Sequence, residues 1–163
     1  MCKLTHARLL EVLNYNPITG CWFWNVDCNN QIRMGMTAGY VNPVSGYRMI
    51  SIDGNNYCSH KLVWFYINGV WPSGQIDHIN QNKSDDRIEH LRPATRSQNG
   101  CNSKGRSKRG LPKWVRKHGN GFQAQLKFNG KQIPLGTFST PEEAHEVAKA
   151  KAKELHGEFF RSK

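Results

Sequence analysis

Hydrophobic and polar positions recur along this chain in two periods, and the switches between them mark out the elements. In THARLLEVL, residues 5–13, Ala7, Leu9, Leu10, Val12 and Leu13 fall on one helical face behind Thr5, a helix-capping residue type. Asn16-Pro17 and Thr19-Gly20 then turn the chain, and the aromatic run CWFWNV (21–26) reads as a strand. Residues 27–38 are polar and read as a loop. From 46 to 59 the period is two, with Tyr47, Met49 and Ser51 on one face and Arg48, Ile50 and Ile52 on the other. Asp53-Gly54 (or Gly54-Asn55) is a hairpin signal, so strands are expected over 46–52 and 56–59. HKLVWFYING (60–69) predicts a helix closed by Gly69.

The second half repeats the logic on a smaller scale. NSKGRSKRG (102–110) has almost no apolar residue and reads as a linker. LPKWVRKH is a strand candidate, and His118 to Gly121 form a turn. In GFQAQLKF, Phe122, Ala124, Leu126 and Phe128 share one face, and Asn129-Gly130 is a strong hairpin turn leading to a third strand, KQIPLGTF. Ser139 or Thr140 caps a last helix, with Pro141 at its first position, Glu142 and Glu143 in its first turn and Gly157 at its end. Ala144, Val147, Ala148, Ala152 and Leu155 form its buried stripe. The expected architecture is α+β: a domain over 1–103, a basic linker over 104–110, and over 111–163 a three-stranded antiparallel sheet covered by one helix.

Charge adds a partner class to this outline. The 163 residues carry a net charge of +11, distributed unevenly. Residues 1–103 hold 9 Lys/Arg against 7 Asp/Glu, whereas 104–163 hold 14 against 5. An excess confined to one region is the footprint of polyanion binding. The uncovered face of the expected sheet carries Lys113, Arg116, His118, Gln125, Lys127 and Gln132, cations and amides without an acid. No apolar run approaches the ~20 residues of a membrane span. The first residues lack the apolar stretch of a secretory signal, so a cytoplasmic protein, in the host cell if phage-encoded, is the expectation. The 5 cysteines contain no C-x-x-C pair, which argues against a disulfide framework or a zinc knuckle.

The candidate chemistry is concentrated in residues 75–102, QIDHINQNKSDDRIEHLRPATRSQNGCN. Asp77 and His78 are adjacent at the end of a short apolar-leading segment, and Asn99 follows on a helix-compatible run. Phosphodiester hydrolysis needs an activated water, charge relief on the phosphoryl oxygens and stabilisation of the leaving oxygen. One imidazole and one divalent metal supply all three. A neutral His takes a proton near pH 7, and a carboxylate with an amide suits Mg²⁺ or Mn²⁺ better than zinc.

The run D-H-I-N-Q-N-K-S-D-D-R-I-E-H-L-R-P-A-T-R-S-Q-N resembles the HNH endonuclease motif, in the form seen in phage and intron-encoded homing endonucleases. GYRMISIDG and HKLVWFYINGVWP, upstream of it, are also similar to that family. The resemblance implies a ββα-metal fold: a first strand ending at Asp77-His78, a second over His90 to Thr95, and a helix starting over Arg96 to Asn102. It implies His78 as general base and Asp77 and Asn99 as ligands of one Mg²⁺ or Mn²⁺ per active site. Arg92 and Arg96 would contact phosphate or pack locally. Two positions depart from the family. His90 stands at its central Asn, where it would hold the loop, add a ligand or mark a weakened enzyme, and Asp86 replaces another Asn. Asp85 and Asp86 are taken as loop residues.

Residues 110–159 resemble the Apetala-two/ethylene-response-factor DNA-binding domain through the N-G-K hairpin, L-G-T-F, the E-E-A helix and the closing H-G-E-F. That implies DNA reading by the sheet face that carries Lys113, Arg116, His118, Gln125, Lys127 and Gln132. Trp114 replaces a Gly of that family and Pro134 an aromatic contact, so base preference does not carry over. The expected function is a metal-dependent, site-directed endonuclease on double-stranded DNA, acting as a monomer without an obligate protein partner. The alternative is a catalytically weak or inactive DNA-binding regulator derived from such a nuclease.

Overall fold

The structure, a computed structural model, describes residues 4–28, 31–102 and 110–160. It is a mixture of helices and antiparallel strands in two compact units, divided between Pro93 and Ala94. The basic linker expected over 104–110 lies outside the described residues except for Gly110.

The first unit opens with helix α1 (His6–Val12), whose N-cap Thr5 accepts a hydrogen bond from the Arg8 N–H. The helix ends sooner than its periodicity suggests. Leu13 leaves helical geometry and begins strand β1 (Leu13–Asn16), which pairs with β2 (Cys21–Trp24). No local pattern announces β1, because Leu13 satisfies the helical spacing and the Leu13/Tyr15 alternation is too short to compete. Strands β3 (Tyr40–Val41), β4 (Arg48–Ile52) and β5 (Asn55–Cys58) form an antiparallel sheet, with Asp53 and Gly54 both at positive φ in the β4–β5 turn. Helix α2 (Ser59–Asn68) follows and ends on Gly69 in the left-handed conformation, φ 70°.

These elements share one core, with Leu9, Val12, Leu13, Trp22, Ile50, Leu62 and Val63 all nearly fully buried. Each such side chain contributes about 1.5–3 kcal/mol by leaving water. The core also fixes direction: the buried Trp22 indole N–H donates to Ser59 Oγ at 2.9 Å, tying β2 to the first turn of α2. Against this base lies a second pair of strands, β6 (Gln75–His78) and β7 (Leu91–Ala94), joined by a long loop and a 3₁₀ turn at Ile88–His90.

The second unit holds helix α3 (Arg96–Asn102), strands β8 (Val115–His118), β9 (Gly121–Phe128) and β10 (Lys131–Phe138), and helix α4 (Pro141–His156). Thr95 and Gln98 cap α3 reciprocally: each side chain accepts from the other's backbone N–H, at 2.8 and 3.2 Å. The sheet order is β10-β9-β8, antiparallel throughout, with a bulge between Pro134 and Gly136. Ala144, Ala148 and Ala152 of α4 are fully buried, with Ala124 and Leu126 of β9 also in the unit's core. Val147, expected in the α4 stripe, is 38% exposed instead. It stands one position before Ala148, about 100° away around the helix. Thr140 is the helix cap, accepting from the Glu143 N–H.

Candidate functional site

Asp77 and His78 are the last two residues of β6, and both are buried, at 3% and 4% exposure. The Asp77 carboxylate is held by Arg92 of β7, whose Nε and Nη2 lie 3.1 and 3.0 Å from Oδ2. Arg92 therefore braces the acid that the motif marks as a metal ligand. It is 15 residues away in sequence and sits on the paired strand.

His78 is fixed by a residue that the sequence leaves in a polar loop. Its Nε2 lies 3.1 Å from Asp86 Oδ1, and Asp86 is 1% exposed. Asp86 does lie in the loop, as expected, but its side chain turns inward onto His78. In a DD pair inside a polar segment, neither periodicity nor charge tells which carboxylate turns inward. The anchor is remote: Tyr15 of β1 donates to the Asp86 carbonyl at 2.8 Å and accepts from the Ile88 N–H at 3.0 Å. The loop also presses on Gly20, where a Cβ would come within 2.8 Å of the Arg87 backbone nitrogen, so only glycine fits. Because a carboxylate accepts, the His78 nitrogen facing Asp86 carries a ring proton and donates it.

His60, in the first turn of α2, closes the other side of this pair. Its ring meets that of His78 edge-on, centroids 5.2 Å apart, and Tyr47 lies against both rings at 5.0 and 5.9 Å. Burial and the neighbouring His78 lower the His60 pKa to about 4, so it is neutral at physiological pH. His60, His78 and Asp86 offer ligand atoms all within 4.8 Å of one another, a group that could hold a metal ion. His60 Nδ1 and Asp86 Oδ2 are buried without a hydrogen-bond partner, and Arg48 Nε is 4.0 Å from Asp86 Oδ2. The sequence carried a weak signal for His60: it precedes the buried Val63 by three positions on a helix, the spacing of one face.

His90 belongs to a different network. Its Nδ1 is 2.9 Å from Asp85 Oδ2 and 3.0 Å from Asn80 Nδ2. Asp85 also accepts from Asn80 at 2.8 Å and from Arg87 Nε and Nη2, both at 2.8 Å. The Arg87 guanidinium holds the Asp85 carboxyl well below the usual carboxylate range. The backbone of His90 accepts from the Ile79 N–H at 2.8 Å, next to His78. The imidazole of His90 thus ties the loop residues Asn80 and Asp85 to the start of β7.

Asn99 lies on α3 in the second unit, as does Arg96. In that unit the register places Arg116, His118, Gln125, Lys127 and Gln132 on the sheet face opposite the core. Arg116 donates through Nε and Nη2 to Gln123 Oε1, and Gln132 Nε2 donates to Gln125 Oε1. Lys113 stands apart from this face. It precedes β8, its ammonium group donates to the Cys101 carbonyl at 2.6 Å and lies over the Trp114 ring, and burial lowers its pKa.

Comparison with known proteins bears on the first of these groupings. Residues 57–101 match the model of the HNH endonuclease family. The matched HNH segment contains His60, Asp77, His78, Asp86, His90 and Asn99. Over 118 residues, 71% of its length, the chain is 34% identical to an uncharacterised HNH endonuclease of Acanthamoeba polyphaga mimivirus. It spans 61% of that relative's length. No solved structure matches it. Among the described residues no helix is long and apolar enough to cross a membrane.

Proposed function

We propose that the chain is a metal-dependent DNA endonuclease of the free-standing homing type, with His78 as the general base. The observation that carries this reading is the buried His78–Asp86 pair at the end of β6, inside the segment that matches the HNH family. Asp86 holds the Nε2–H, so the basic nitrogen is Nδ1, the atom that takes a proton from the attacking water. Tyr47 and His60 pack against the ring and limit its rotation. The order β6, β7, α3 supports a ββα-metal arrangement of this segment.

The donor set assigned to the metal is the Asp77 carboxylate with the Asn99 amide, hard oxygens that suit Mg²⁺ or Mn²⁺. Asp77 suits the role by its place, buried at the end of β6 beside His78, with Arg92 fixing the orientation of its carboxylate. The bound ion would supply charge relief on the phosphoryl oxygens and the leaving oxygen. The second unit supplies the address. Its outward sheet face offers Arg116, His118 and Lys127 for phosphates and Gln125 and Gln132 for base edges of double-stranded DNA, in the manner of an Apetala-two-like domain. Lys113, turned inward, is the weakest of the contacts assigned to that face.

The test is cleavage of double-stranded DNA in Mg²⁺ or Mn²⁺ by the whole chain and by His78→Ala. Loss of cleavage with DNA binding retained is expected, and wild-type cleavage by the variant would overturn the assignment. A second reading, a DNA-binding regulator descended from such a nuclease, draws on one observation. The Asp77–Arg92 pair already satisfies the acid that a metal needs. Tight DNA binding with no cleavage in either metal would favour it.

A further inference from the structure

The unpartnered atoms beside His78 point to a second chemistry in the first unit. Asp86 is a carboxylate at 1% exposure with one oxygen bonded to His78 and the other without a hydrogen-bond partner. A buried charged group left unsatisfied costs several kcal/mol. The nearest cationic nitrogen, Arg48 Nε, stands 4.0 Å away and is itself unpartnered. Opposite the acid, His60 presents a buried Nδ1 that also lacks a partner. Two imidazoles, of which burial keeps that of His60 neutral, and one carboxylate, with ligand atoms within 4.8 Å of one another, suit a divalent cation.

We propose that His60, His78 and Asp86 form a binding site for a zinc-class transition-metal ion, separate from the Mg²⁺ site assigned to Asp77 and Asn99, and that its occupation switches the nuclease off. Donor chemistry sets the class: imidazole nitrogens favour Zn²⁺ or Co²⁺ over Mg²⁺ or Ca²⁺. Metal-to-ligand bonds of ~2.1 Å put tetrahedral donors about 3.4 Å apart. His78 Nε2 and Asp86 Oδ1 already stand at 3.1 Å, and the widest separation in the group is 4.8 Å, so side-chain rotation of about an ångström closes it.

The switch follows from counting the proton on one ring. Without the ion, neutral His78 keeps its single proton on Nε2, donated to Asp86, and its lone pair on Nδ1. An ion on Nε2 takes the lone pair there, so the ring proton moves to Nδ1. No proton is released and Asp86 becomes a ligand, but Nδ1 no longer has a lone pair to accept a proton from water. Zinc-class binding and general-base action by His78 therefore exclude one another. This second half rests on His78 being the base; the site itself does not.

The test has two arms, both on the full chain stripped of metal. In the first, Co²⁺ is titrated and its visible d–d absorption recorded. One equivalent should give the bands of a four-coordinate ion without thiolate charge transfer, and His60→Gln and Asp86→Asn should each weaken binding at least tenfold. Near-ultraviolet circular dichroism checks the fold of each variant. Absence of the bands, a thiolate signature, or bands unchanged in both folded variants would overturn the site. In the second arm, one equivalent of Zn²⁺ is added to Mg²⁺-driven DNA cleavage. Wild-type cleavage should stop, and whatever rate His60→Gln retains should be insensitive to Zn²⁺. If Co²⁺ binds as expected but Zn²⁺ leaves cleavage unchanged, the switch is wrong while the site stands. If no Mg²⁺ cleavage exists at all, the first arm still decides the site.

Discussion

On the proposed reading the chemistry lies in single side chains around His78, and three residues make separable predictions. Removing the His78 imidazole should lower metal-dependent cleavage by roughly 10²–10⁴-fold, the range of general-base catalysis, and leave DNA affinity nearly unchanged. His60 makes a prediction about stability. Its pKa in the folded chain is about 4 against an ordinary 6.5, so between those values the unfolded chain binds a proton that the folded chain does not. Stability should therefore fall as the pH drops from 6.5 towards 4, by up to about 3 kcal/mol. His60→Phe should flatten that part of a plot of unfolding free energy against pH; an unchanged slope would refute the buried neutral ring. Asp85 acts lower on the pH scale. Its carboxyl is held below the usual range, so its contribution is full above about pH 4, the ordinary carboxylate value, and is lost as acid protonates it. Asp85→Asn should remove part of the acid sensitivity below that pH, measured by melting temperature. At this scale the sequence was partly legible. Asp77 and His78 stand out because their motif is contiguous. Asp86 and His60 do not, because what brings them together is the fold of residues 26 positions apart, with Tyr15 and Trp22 anchoring the two segments through the core.

Secondary elements place those residues, and the loop between β6 and β7 is held from several sides. It crosses from one strand to its partner with Asp86 turned inward and Asp85 clamped by Arg87, Asn80 and His90. Tyr15 is its outside anchor. Tyr15→Phe deletes the bond to the Asp86 carbonyl and leaves the Ile88 N–H without its acceptor, so it should cost about 1–3 kcal/mol in urea denaturation. It should also lower cleavage more than the stability loss explains, because the orientation of Asp86 depends on it. Helices and hairpins were legible wherever a local signal exists: Thr5, Gly69 and Thr140 as caps, Asp53-Gly54 and Asn129-Gly130 as turns. Strand β1 was not, since four residues after a helix carry no period of their own. The inward fold of Lys113 was hidden for a similar reason. Its alternation fits a strand, but the strand starts only at Val115, and the ammonium group finds the end of α3.

At the scale of the molecule, the chain joins a nearly neutral unit bearing the candidate site to a strongly basic one. The charge division was readable without any structure, and it predicts separable losses. Arg116→Ala and Lys127→Ala should weaken DNA binding, and each should reduce the steepness of its salt dependence by about 0.9 if the side chain meets one phosphate. Neither should change the metal dependence of cleavage at saturating DNA. An unchanged salt slope in both would move the DNA contact off this sheet face. The account's central claim is that His78, set by Asp86, is the base of a metal-dependent endonuclease. The most direct measurement is the rate of double-stranded DNA cleavage by the full chain in Mg²⁺ or Mn²⁺, wild type beside His78→Ala at equal folded concentration. Strand cleavage is expected from the wild type, none with the metal chelated, and a loss of at least a hundredfold in the variant. Cleavage by His78→Ala at the wild-type rate would contradict it.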